Sequence, residues 1–158
     1  MSSIPHDLAA FLVEAKRRTY AGLDDDATVA APSLAGSKQL EHRAPPYAYR
    51  DIYFGMGFFV GTVSRDERLI WSMSYSGGVR AEIGDRETLL AIYKFLRQAL
   101  LGVRVEQPYR GRPLFEQAGM VYRNEIEGAL DRFHGVETIA RQDGVPLYEL
   151  RYSGGLLR

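Results

Sequence analysis

Tyr75-Ser76-Gly77-Gly78 returns at Tyr152-Ser153-Gly154-Gly155, and the likeness extends upstream of both. The segment DERLIWSMSYSGGV from Asp66 aligns without a gap on DGVPLYELRYSGGL from Asp143. Ile70 then meets Leu147, Trp71 meets Tyr148, Met73 meets Leu150 and Tyr75 meets Tyr152. Both copies alternate apolar and polar side chains, W-S-M-S-Y and Y-E-L-R-Y, which is the period of a strand with one buried face. The paired glycines that follow suit a turn or bulge. A second pair comes earlier in each half: Tyr49-Arg50-Asp51-x-x-x-Gly55 and Tyr122-Arg123-Asn124-x-x-x-Gly128. The two motifs keep their order but not their spacing, as a hairpin of different length would produce.

Each half also opens on a helical pattern. From Pro5 to Tyr20 the apolar residues Leu8, Phe11, Leu12 and Ala15 fall at helical spacing, with Lys16, Arg17 and Arg18 near the C-terminal dipole. Asp85 is placed to cap a second helix running through Leu89, Ile92, Tyr93, Leu96 and Leu100 to about Leu101. The expected fold class is α+β: two pseudo-repeated α-β-β-β halves, with an antiparallel sheet packed by two main helices. The expected boundaries are one domain over 1–158, with half-repeats at about 5–84 and 85–158. Between helix and strands, residues 22–37 and 103–118 read as surface loops. The second carries Arg104, Arg110 and Arg112, for which a solvated loop is preferred over an anion site.

Composition removes several function classes. Lys+Arg and Asp+Glu number 20 each, so no general attraction to nucleic acid or anionic lipid is expected. There is no cysteine, which excludes disulfides and thiolate metal sites. The chain starts almost directly on its first helical pattern, without a secretory h-region, and no apolar run reaches the length of a membrane span. A cytoplasmic location is expected, with no membrane partner and no direct nucleic acid partner.

Candidate chemistry is sparse. Asp24, Asp26 and Thr28 mimic the start of a calcium loop, but the required glycine and closing glutamate are missing. Gly55-Met-Gly57-Phe-Phe-Val-Gly61 leads into a β-rich stretch, not the helix that a dinucleotide loop needs. His6, His42 and His134 are too scattered for a metal site. No cofactor and no metal are therefore expected, and no catalytic residue is assigned. Asp51 is more informative, because a strand would turn Tyr47, Tyr49, Asp51 and Tyr53 to one face. A carboxylate buried among tyrosines needs a partner. It reads either as a structural hydrogen-bond acceptor, the preferred reading, or as a ligand-binding or general-base group. Asn124 at the matching place cannot act as a base. The candidate ligand-binding set is Tyr49, Asp51, Tyr53, Trp71, Tyr75, Tyr122, Tyr148 and Tyr152. Core packing is the plainer reading of the aromatics among them.

YRDIYFG with WSMSYSGG, followed by YRNEIEG with LYELRYSGGLLR, resembles an uncharacterised bacterial family, domain of unknown function 5680. The likeness runs from about Phe11 to Arg158; Ser76 and Ser153 stand where some relatives carry larger polar residues. The resemblance implies a sensory or dimerising role, since such domains frequently follow a helix-turn-helix module in transcriptional regulators. It brings no catalytic residues. The first expectation for function is a non-enzymatic small-molecule-binding or sensory domain linked to transcriptional regulation. A small enzyme using Asp51 or Glu41 in a tyrosine-lined cleft is the alternative, and a pure dimerisation module is a third. The partners expected are a small-molecule ligand and a second copy in a homodimer. A buried Asp51 of elevated pKa in a cleft would favour the enzyme.

Overall fold

The computed structural model describes residues 4–22, 27–29 and 31–158. Helix α1 (Leu8–Arg18) is followed by four strands: β1 (Lys38–Ala44), β2 (Tyr47–Phe54), β3 (Phe58–Arg65) and β4 (Arg68–Val79). Helix α2 (Arg86–Leu100) is followed by four more: β5 (Leu114–Gln117), β6 (Met120–Ala129), β7 (Arg132–Arg141) and β8 (Pro146–Leu156). The eight strands form one antiparallel sheet in the order β1-β2-β3-β4-β8-β7-β6-β5. The two halves therefore meet along β4 and β8, and the fold is α+β with two pseudo-repeated halves.

Each half has one strand more than expected. The extra strands are the two edges. KQLEHRA in β1 is mostly polar, and LFEQ in β5 is four residues long. Short or charged strands are usual at a sheet edge, where they discourage pairing with other chains, and they give a weak periodic signal.

The pairing ladders demonstrate the repeat residue by residue. Trp71 pairs with Val63 and Val63 with Tyr49; Tyr148 pairs with Ile139 and Ile139 with Tyr122. Met73, Gly61 and Asp51 form the next row of the first half, and Leu150, Glu137 and Asn124 that of the second. A register shift follows Val63 in one half and Ile139 in the other, which are equivalent positions. Tyr75 pairs with Tyr152 at the centre, with Met73 opposite Gly154 and Gly77 opposite Leu150 on either side.

The YSGG segments do not form turns, contrary to the expectation from their glycines. Both lie inside β4 and β8. A Cβ on Gly77 would come within 2.2 Å of the Glu149 carbonyl oxygen, and one on Gly154 within 2.4 Å of the Ser72 carbonyl oxygen. The motif recurs because each copy's first glycine lets the other copy's strand approach.

Inward and outward faces follow the alternation. Trp71, Met73 and Tyr75 are buried, as are Tyr148, Leu150 and Tyr152, while Ser74, Ser76, Glu149 and Arg151 are exposed. Both helices lie on the buried face, α1 against β1 and β2 and α2 against β6. Asp85 caps α2 by accepting a hydrogen bond from the Thr88 backbone N–H at 2.8 Å. Leu8 and Leu12 from α1 and Ile92, Phe95 and Leu96 from α2 complete the core. Each such side chain contributes about 1.5–3 kcal/mol on full burial. Among the described residues, no helix is long and apolar enough to cross a membrane.

The two connecting segments are less loop-like than their composition implies. Asp24 and Asp26 lie outside the described residues, but Ala27 is buried and Thr28 bridges Leu40 of β1. In the second segment Arg104 and Arg112 are exposed, whereas Arg110 is buried and forms an internal ion pair. Arg110 therefore belongs neither to a solvated loop nor to an anion site.

Candidate functional site

The rows that the repeat places in equivalent positions carry different chemistry. In the second half, Glu137 is fully buried on the inward face of β7. Arg110 grips it with both ends of its fork, Nε to Oε2 at 3.0 Å and Nη2 to Oε1 at 2.6 Å. The hydroxyls of Tyr122 and Tyr148 donate to the same carboxylate at 2.6 and 2.8 Å. Tyr122 also accepts from the Gly111 backbone N–H, and Asn124 donates to the Gly111 carbonyl, both at 3.0 Å. Tyr152 donates to Asn124 Oδ1 at 2.6 Å. Four donors on one carboxylate saturate it. This half holds residues 110 and 111 in place.

In the first half, Gly61 stands where Glu137 stands in the second. A Cβ there would already lie 3.0 Å from the Tyr49 hydroxyl, so Tyr49 occupies the room that a longer side chain would need. Asp51 is buried and accepts a hydrogen bond from the Tyr75 hydroxyl, just as Asn124 accepts from Tyr152. Among the described residues it has no ion-pair partner. Burial pushes its carboxyl above the usual range, against the Tyr75 hydrogen bond and the charges of Lys16 and Arg110. Burial likewise holds the Tyr49 and Tyr75 hydroxyls well above their ordinary value, reinforced by Asp51.

Lys16 reaches this carboxylate's surroundings from α1. It is half-buried, with its Nζ 3.5 Å from Met73 Sδ and 5.5 Å from the centre of the Tyr49 ring. A thioether and an aromatic face stabilise an ammonium weakly. Burial, with Arg110 adding to it, pushes its pKa down to about 7, although Asp51 and Glu137 pull the other way. The Arg110 guanidinium lies 5.1 Å from the centre of the Tyr75 ring, so it touches both halves.

These groups wall a cavity of about 20 Å³ lined by Lys16, Tyr20, Tyr49, Asp51, Tyr75 and Arg110. A second, of about 10 Å³, shares Tyr20, Asp51, Tyr75 and Arg110 and reaches Tyr148. An outer cleft of about 310 Å³ between α2 and the β2–β3 hairpin shares Tyr20 with both. Tyr20 lines the cleft and both cavities, and the Arg97 guanidinium lies 5.0 Å from the centre of its ring.

Residues 51–157 match the family described as a domain of unknown function (DUF5680). The chain belongs to that family. No curated protein and no solved structure matches it. The DUF5680 segment includes Asp51, Tyr75, Arg110 and Glu137, while Lys16 and Tyr49 precede it.

Of the candidate residues read from the sequence, the DUF5680 fold brings Tyr49, Asp51 and Tyr75 to the first cavity and Tyr148 to the second. Tyr53 is half-buried and lines the outer cleft. Tyr122 and Tyr152 serve the hydrogen-bond network of the second half. Trp71 is core: it stacks on Phe133 and donates to the Leu130 carbonyl at 3.2 Å. Glu41 is not near Asp51. It pairs with Arg50 across β1 and β2, on the opposite face of the sheet, and binds Arg43 and Arg50 there. Strand alternation explains the separation, because Leu40, not Glu41, is the residue opposite Asp51.

Three residues of the site were not anticipated. Lys16 continues the Leu8–Leu12 stripe at four-residue spacing, which places it on the buried face of α1. Glu137 alternates with Phe133, Gly135 and Ile139 on the inward side of β7. Both signals were present in the sequence. Arg110 sits in an irregular segment that offers none. Among the described residues no cluster of three His, Cys, Asp or Glu could hold a metal ion.

Proposed function

We propose that this chain acts on a small polar molecule by acid–base chemistry at Asp51, within the cavity completed by Lys16, Tyr49, Tyr75 and Arg110. One observation carries the reading: the two halves share a framework, yet only one carboxylate is saturated. Glu137 has four donors, whereas Asp51 has the Tyr75 hydroxyl and faces open volume. A buried carboxyl of raised pKa in a cleft is placed to exchange a proton with a bound molecule. Tyr75 orients it, and the Tyr20 edge of the outer cleft offers a route for a ligand.

A sensory domain acting with a helix-turn-helix partner would use the same cavity without any change in the protonation of Asp51. Asp51→Asn separates the two readings, since Asn124 already accepts a tyrosine hydroxyl in the same geometry. A panel of small polar molecules is screened by saturation-transfer NMR in deuterated buffer. Binders that take up solvent deuterium with the wild type, and lose that uptake but not their binding with Asp51→Asn, support acid–base action. Binders that show no uptake, or equal uptake with both proteins, count against it.

A further inference from the structure

Lys16 is the one lysine whose amine faces the interior; the other two, Lys38 and Lys94, are exposed. Among the described residues its Nζ has no carboxylate within ion-pair reach. It has only the Met73 sulfur and the Tyr49 ring face, with a second cation, Arg110, in the same cavity wall. Such surroundings oppose a charged ammonium and favour the neutral amine, which is the nucleophilic form. A carboxyl group, Asp51, lines the same cavity. A neutral amine beside a carboxyl group that can give a proton is the pair that imine formation requires, and burial opposes the charged form of both Lys16 and Asp51.

We propose that Lys16 forms an imine with a small aldehyde or ketone, and that Asp51 supplies the proton with which the carbonyl oxygen leaves as water. The inference rests on the acid–base reading of the cavity and names the substrate class. The amine lone pair forms the C–N bond as the carbonyl π pair moves to oxygen. One N–H proton passes to that oxygen, giving the carbinolamine. Asp51 then protonates the hydroxyl, water departs, and the nitrogen lone pair closes the C=N bond as a protonated imine. Neutral lysine and neutral aspartic acid thus become an iminium beside a carboxylate, with no net charge added to the cavity. No oxidant or reductant is consumed. The cavity of about 20 Å³ has room for about one or two water-sized groups, so a small carbonyl compound enters only as a wall residue such as Tyr20 moves aside.

The test uses propanal with sodium cyanoborohydride at pH 7, which reduces any imine to a stable propyl amine. Peptide mass spectrometry then gives the rate at each lysine. Lys16 is expected to label at least about tenfold faster than Lys38 and Lys94, whose exposed amines have no such surroundings. In Asp51→Asn the Lys16 rate should fall by about tenfold while the other two stay unchanged. The wild-type comparison needs no variant and is decisive by itself. Labelling of Lys16 no faster than of Lys38 and Lys94 overturns the proposal. Asp51-dependent deuterium uptake without Lys16 labelling would remove the imine and leave the acid–base reading standing. Loss of both would remove both.

Discussion

Tyr75 and Tyr152 face each other across β4 and β8, and each hydroxyl donates to the residue at the equivalent place in its own half, Asp51 for one and Asn124 for the other. The same tyrosine geometry thus accommodates a carboxyl group and an amide. The chain contains its own control for the charge on Asp51.

Asp51→Asn should stabilise the protein by about 0.5–2 kcal/mol at pH 8, as replacements of strained functional groups commonly do. The sign follows from the raised carboxyl pKa, caused first by burial. The folded state holds the proton at pH values where the unfolded chain has released it. Wild-type stability therefore falls as pH rises from the ordinary carboxylate range through the folded pKa. The variant lacks that fall, so its advantage in urea midpoint should widen between pH 4 and pH 8. A constant or reversed gap would mean that Asp51 is held charged.

Lys16 has the opposite dependence. Its pKa is lowered from 10.5 to about 7, chiefly by burial, so between those values the unfolded chain binds a proton that the folded one does not. Wild-type stability should rise with pH across that window. Lys16→Met should gain about 1–2 kcal/mol over the wild type at pH 6 and lose most of that gain by pH 10. Denaturant unfolding at the two pH values checks it.

Glu137→Gln and Arg110→Met should each cost about 3–5 kcal/mol, because either leaves a buried charge without its counterpart. The double variant should be less damaging than the sum of the two, since the same ion pair is removed only once. Thermal or urea unfolding of the three variants forms the cycle. Costs that simply add would show that the two side chains are not coupled.

Met73→Ala and Leu150→Ala should each cost about 2–5 kcal/mol, since both side chains are buried beneath a helix. Ser72→Ala and Glu149→Ala, on the outer face of the same strands, should stay within about 0.5 kcal/mol. Unequal faces in one half but not the other would contradict the repeat.

The repeat was legible because its inward residues alternate strictly. Trp71, Met73 and Tyr75 match Tyr148, Leu150 and Tyr152 in spacing and burial, and their pairing partners follow. The edge strands were not legible, because β1 and β5 carry few inward apolar residues. The site was half legible. Asp51 and its tyrosines announce themselves on one strand face. Lys16 was obscured by Arg17 and Arg18 beside it, which make it look like part of a helix-end cluster. Arg110 and Glu137 are far apart in sequence, and only the closed sheet sets one against the other. Local patterning carries no information on such pairs.

The join along β4 and β8 has a consequence for assembly. A half ending before α2 would leave the long strand β4 as an open edge whose natural complement is another copy of itself, and such edges recruit partners. Two separate halves would have to meet by collision and hold each other with their own affinity. The short segment from Arg80 to Asp85 makes that encounter intramolecular. At the millimolar effective concentrations that short linkers provide, a weak mutual affinity suffices to keep the halves closed. With association secured by the covalent link, one half can use its buried carboxylate as a fastening and the other can leave its own with a single tyrosine donor.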